Sequence, residues 1–179
     1  VLLNVAQKRL ANAHMLTEHP FCIPVRQIMT HTSSATRQVL SFSRCEIGDE
    51  GMKTVSSAIS GGALASLQNL YVKDNRVGDT GVKAFSAAVS AGALACLEFL
   101  YLGSNQIGNK GMKAFSGALS CGAMSRLKGL WLDDNRVGDE GMKAFSVALS
   151  SGALMSLETL LFDRNKIADE GVKAFSHVL

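Results

Sequence analysis

The chain holds two tyrosines and one tryptophan, and all three stand in one series, Tyr71, Tyr101 and Trp131, 30 residues apart. Ser41 and Leu161 extend the series in either direction. Tyr and Trp are strongly enriched at the energetic centres of protein interfaces, because each presents a large, stiff, partly polar surface. The neighbouring positions change from copy to copy. They read Ser43, Lys73, Gly103, Asp133, Asp163 in one column and Arg44, Asp74, Ser104, Asp134, Arg164 in the next. A varied surface on a repeated frame is the pattern expected for recognition. The residues expected to meet a protein partner are therefore Tyr71, Tyr101, Trp131, Leu161, Lys73, Asp133, Asp134 and Phe99. The competing reading has the aromatics stack on one another and brace a sheet.

Catalysis has little to work with. Between Thr36 and Ser176 there is no histidine to serve as a general base. No phosphate-cradling glycine loop, dinucleotide fingerprint or zinc-protease helix occurs. Asp133, Asp134 and Asp163 could form an acidic cluster, but solvated carboxylates on a sheet edge are commonplace. No enzyme activity and no cofactor are expected. His14, His19, Cys22 and His31 lack the tight pairs that closed zinc sites use, so no metal is expected either. Cys22, Cys45, Cys96 and Cys121 form no CxxC pair and no framework of bridges. Together with the lack of a glycosylation sequon, this points to a reduced, intracellular, cytoplasmic chain. A net charge of +3 is too small to argue for nucleic acid. No apolar run is long enough for a membrane-spanning helix. The expectation is a monomer with a protein partner.

The elements that position the aromatics follow from one stretch, Leu127–Ser156. In its first part Leu127, Leu130 and Leu132 are apolar, with Trp131 between the last two, the alternation of a strand with one buried face. Trp131 must then point the other way. Met142, Phe145, Ala148 and Leu149 fall on one helical face. Asp139 stands where an N-cap is expected and Gly152 just past the helix end. The same sentence recurs with Asn75, Asn105, Asn135 and Asn165 in register, and with Gly81, Gly111, Gly141 and Gly171. Each copy is one strand and one helix laid down in the same direction, so the copies should stack into a solenoid. Met52, Met112, Met142, Phe85, Phe115, Phe145 and Phe175 read as core.

A column of lysines, Lys53, Lys83, Lys113, Lys143 and Lys173, runs along the helices. Such a stripe could bind phosphates or anionic lipid. Asp49, Asp79, Asp139 and Asp169 stand four residues earlier, a spacing that would neutralise it. A solvated outer face is the expectation.

The pattern L-x-x-L-x-L-x-x-N/C-x-(V/I), seen in Leu127–Val137 and its copies, resembles the leucine-rich repeat. The long helical half, G-D-x-G-(V/M)-K-A-F-S-x-A-(L/V)-S, resembles the ribonuclease-inhibitor type. The resemblance implies an α/β solenoid with a curved parallel sheet on the concave side and helices on the convex side. It implies that the asparagines, with Cys45 in the same column, bond backbone groups left unpaired after each strand. It also implies repeats at 37–66, 67–96, 97–126 and 127–156, with an incomplete one at 157–179. Arg37 replaces the first leucine of the first copy, as suits a repeat near the end of a stack. Residues 1–36 hold both prolines and no glycine. They read as an N-terminal cap or leader, with a helix over Val1–Leu16. Because the last helix lacks a cap, the chain is expected to continue beyond Leu179. Relatives of this type include enzyme inhibitors, innate-immune receptors and activators of small GTPases. The alternatives to a partner-binding module are thus a regulator of a Ran-like GTPase and a purely structural segment of a larger protein.

Overall fold

A computed structural model of the protein describes residues 39–62 and 64–178. The expected cap or leader over residues 1–36 lies outside the described residues. The strands are β1 Val39–Ser41, β2 Asn69–Tyr71, β3 Phe99–Tyr101, β4 Gly129–Trp131 and β5 Thr159–Leu161. They alternate with helices α1 Asp49–Ser60, α2 Asp79–Ser90, α3 Asn109–Ser120, α4 Asp139–Ser150 and α5 Asp169–Ser176. The five strands form one parallel sheet in chain order, each paired with its successor. The register is constant, with Leu40, Leu70, Leu100, Leu130 and Leu160 side by side. Strands pack about 4.8 Å apart and helices about 8–10 Å apart. Each unit is therefore a wedge, and the stack curves with the sheet inside.

The core between sheet and helices is built from the apolar columns. Leu70, Leu100 and Leu130 are fully buried, as are Phe85, Phe115 and Phe145 from the helices. Leu160, Phe162 and Phe175, in the last repeat, are only partly buried against it.

Two polar ladders tie the repeats together. The first is the expected asparagine column. Asn105 accepts the Val77 N–H on Oδ1 at 3.0 Å, and its Nδ2 donates to the carbonyls of Val72 and Leu102. Asn75, Asn135 and Asn165 do the same in their repeats. Each amide thus serves the backbone of its own repeat and of the one before.

The second ladder corrects an expectation. Asp139 does not cap its own helix: the cap position is Gly138, which has no side-chain bond of that kind. Asp139 Oδ1 instead accepts the N–H groups of Ala168 and Gly171, 2.7 and 3.0 Å away at the start of the next helix. Asp49 serves Gly78 and Gly81 in the same way, and Asp79 serves Gly108 and Gly111. Asn109 replaces the acid and still receives Gly138 and Gly141, so the contact needs an oxygen rather than a charge. Where the charge is present it also faces the positive end of the neighbouring helix. The glycine column is explained by the same contact, since a Cβ on Gly111 would lie 2.7 Å from Asp79 Oδ1.

With Asp49, Asp79 and Asp139 so engaged, they do not pair with the lysine column, and among the described residues Asp169 does not pair with Lys173 either. Lys53 reaches Glu50 at 2.6 Å, Lys143 reaches Glu140 at 3.4 Å, and Lys113 crosses to Glu140 at 3.5 Å. Lys83 and Lys173 make no ion pair among the described residues. These exposed pairs contribute little.

Glu98 is different, for its side chain is largely covered while Lys128 Nζ lies 2.9 Å away and Arg126 3.7 Å away. The hydrogen bond from Lys128, helped by the charges of Lys128 and Arg126 and opposed by burial, holds its carboxyl below the ordinary value near 4.5. A depressed carboxylate stabilises the fold above its unfolded pKa, and this contribution disappears as pH falls through the native value. Thermal melts below pH 4.5 should accordingly fall less steeply for Glu98→Gln than for wild type. Parallel slopes would mean that the pair contributes nothing.

Candidate functional site

In-register parallel pairing places Ser41, Tyr71, Tyr101, Trp131 and Leu161 side by side. Because the leucines before them fill the core, these side chains stand on the open, concave face of the sheet. Tyr71 and Tyr101 stack with ring centres 4.2 Å apart and planes 6° apart. Tyr101 and Trp131 follow at 4.1 Å and 15°. The rings are therefore packed face to face along the sheet and present their edges to solvent; all three remain half-exposed. Such pairs contribute about 0.5–1.5 kcal/mol each beyond the area they bury. Burial, followed by a hydrogen bond with Tyr71, pushes the Tyr101 phenol above its ordinary value.

Two glycines shape the face. The indole of Trp131 leans back over Gly129, where a Cβ would run into Cζ3 and Cη2. This brings Trp131 to Phe99, with ring centres 6.3 Å apart. The carboxylate of Asp133 lies over Gly103, 2.6 Å from where a Cβ would sit. Neither glycine was among the residues expected to meet a partner, although Gly103 stood in the varied column beside the aromatics. Glycine within a strand does signal a close approach, and Gly129 stands where other copies carry Val39, Asn69, Phe99 and Thr159.

Four of the expected residues, Phe99, Tyr71, Tyr101 and Trp131, thus form one continuous aromatic cluster. Leu161 continues the row and is 36% exposed. Lys73 and Asp133 stand in the column beside it, on either side of Gly103. Asp134 sits at the turn after β4 in a left-handed conformation, φ 54°, and accepts a hydrogen bond from Ser104 at 3.2 Å. Arg44, Asp74, Ser104 and Arg164 share that conformation. Arg44 pairs with Asp74 at 3.3 Å and Arg164 with Asp163 at 3.4 Å, so much of the charge along this rim is neutralised locally. Among the described residues, no three His, Cys, Asp or Glu side chains are placed to hold a metal ion.

The family model described as leucine-rich repeat matches residues 38–56, 63–86, 93–116, 127–146 and 153–176. The chain belongs to the leucine-rich-repeat family. No curated protein matches it. Among solved structures of repeat proteins, it is similar to leiomodin-1 actin-binding site 2, at 14% identity and a TM-score of 0.59. That match covers 100% of this chain and 88% of the other. An internalin of Listeria monocytogenes matches at 20% identity and a TM-score of 0.39, covering 76% of this chain and 45% of its own. Internalin C2 of the same organism matches at 17% identity and a TM-score of 0.30, covering 99% and 88%. The leiomodin-1 likeness agrees in fold with the leucine-rich-repeat solenoid described above. Among the described residues no helix is long and apolar enough to cross a membrane.

Proposed function

We propose that this leucine-rich-repeat protein is an interaction module of the ribonuclease-inhibitor-like type that holds a protein partner on its concave sheet. Tyr71, Tyr101 and Trp131 anchor the partner, and Phe99, Leu161, Lys73, Asp133 and Asp134 surround the anchor. The observation that carries this reading is the half-exposed row of stacked rings. Stacking fixes the rings before any partner arrives, so little side-chain entropy remains to be lost on binding. Their exposed edges are left to make new contacts. Twelve-residue helices in α1 to α4 support the proposed subtype. The similarly folded leiomodin-1 segment is an actin-binding site, which supports a protein as the class of partner.

The test is affinity capture from native lysate with wild type beside a Tyr71→Ser, Tyr101→Ser, Trp131→Ser variant whose circular dichroism matches. A captured protein should bind the variant at least about 30-fold more weakly, the cost of losing one or more hot-spot side chains. Equal capture by both would move binding to the helices or loops.

A further inference from the structure

Among the described residues the row of rings ends at Tyr71. Tyr71 has Tyr101 against one face, and among the described residues no ring packs on the other. One strand away in register is Ser41, whose hydroxyl turns aside toward Ser43 Oγ at 3.4 Å. Strands are about 4.8 Å apart, close to the 4.2 and 4.1 Å spacing of the stacked rings. A further ring above Ser41 would therefore continue the stack without moving the sheet. Elsewhere on this face the space above a small residue is filled from within the chain, Gly129 by the Trp131 indole and Gly103 by the Asp133 carboxylate.

The borders of this gap set the character of its occupant. Val39 lies two residues back on the same face of β1 and is 52% exposed, an apolar wall. Asn69 pairs with Val39 in register and is uncharged. The nearest opposite charges, Arg44 and Asp74, neutralise each other, and the exposed Lys73 opposes an incoming cation. An uncharged ring suits this setting and a guanidinium does not.

We propose that the gap above Ser41, against the open face of Tyr71, is a slot for an uncharged aromatic side chain projecting from the partner. The inference rests on the concave-face reading and locates the partner's anchor within it. A ring there gains a stacked partner and buries apolar area against Val39, enough to make its removal cost about tenfold or more in affinity.

The test is selection of phage-displayed random linear peptides on the full chain. Bound peptides are then measured against wild type, Ser41→Ala, Ser41→Tyr, Tyr71→Leu and Trp131→Ser. Ser41→Tyr supplies the missing ring from within and should melt no lower than wild type. Selected peptides should share a Trp, Tyr or Phe whose replacement by Ala costs at least tenfold. They should lose at least tenfold on Ser41→Tyr and on Tyr71→Leu, and change less than twofold on Ser41→Ala. Peptides indifferent to Ser41→Tyr and Tyr71→Leu but lost on Trp131→Ser would overturn the slot while leaving concave-face binding intact. Peptides indifferent to all four variants would overturn both. A Ser41→Tyr chain that melts well below wild type would show the space already filled and would also overturn the slot. So would a library that yields no binder.

Discussion

Asn105→Ala should destabilise the protein by about 3–5 kcal/mol, because several buried backbone groups lose their partner at once. Asn105 is 8% exposed. Its Oδ1 takes the Val77 N–H, and its Nδ2 serves the carbonyls of Val72, Leu102 and Gly103 at 2.9, 3.1 and 3.2 Å. Alanine supplies none of these bonds and leaves too little room for water to replace them all. Urea unfolding should show a lower midpoint with an unchanged slope. Asn165 makes the same kind of bonds at a more open place, where water can substitute, so Asn165→Ala should cost about 1–2 kcal/mol. Equal losses at the two sites would mean that burial does not set the cost.

Gly111→Ala should cost about 2–3 kcal/mol although the position is helical and alanine is the better helix former. The new Cβ would stand 2.7 Å from Asp79 Oδ1 and 3.1 Å from the Asp79 Cα. It therefore pushes away the group that receives the N–H bonds of Gly108 and Gly111. Asp79→Ala alone should cost about 1–2 kcal/mol, as loss of a helix cap does. The double variant should lose less than the sum by about 1 kcal/mol, since the clashing carboxylate is gone. Strict additivity in a denaturation cycle would show that the glycine is not there for the aspartate.

The repeat was legible because identical residues return at one spacing, and the core because Leu, Phe and Met keep their places within it. Alternation around Leu70, Leu100 and Leu130 was enough to put Tyr71, Tyr101 and Trp131 on the opposite face. The role of Asp79 and Asp139 was not legible. An acid just before a helical run reads as a local cap, and nothing within one repeat shows that its oxygen serves the next. The pairing of these acids with lysines four residues on failed for the same reason, because the carboxylates were already engaged. Stacking of the aromatics was one of the readings open in the sequence, but the orientation of each ring was beyond reach. It depends on how each side chain settles against its neighbour one strand away, and on Gly129 and Gly103 leaving room for Trp131 and Asp133.

The two polar ladders point in opposite directions along the chain, and this bears on how the array forms. Asp79 completes the helix of the repeat after it, while Asn105 completes the turn of the repeat before it. No repeat therefore carries all of its own hydrogen-bond partners, and an isolated one is not a folding unit. The smallest nucleus is a neighbouring pair, closed by contacts 28–33 residues apart in sequence. Once that pair exists, each added repeat closes a loop of the same length and finds its partners waiting, so growth from the nucleus is easier than its birth. The array should behave as a zipper, slow to start and quick to run, and liable to open first at an end where the next partner is missing.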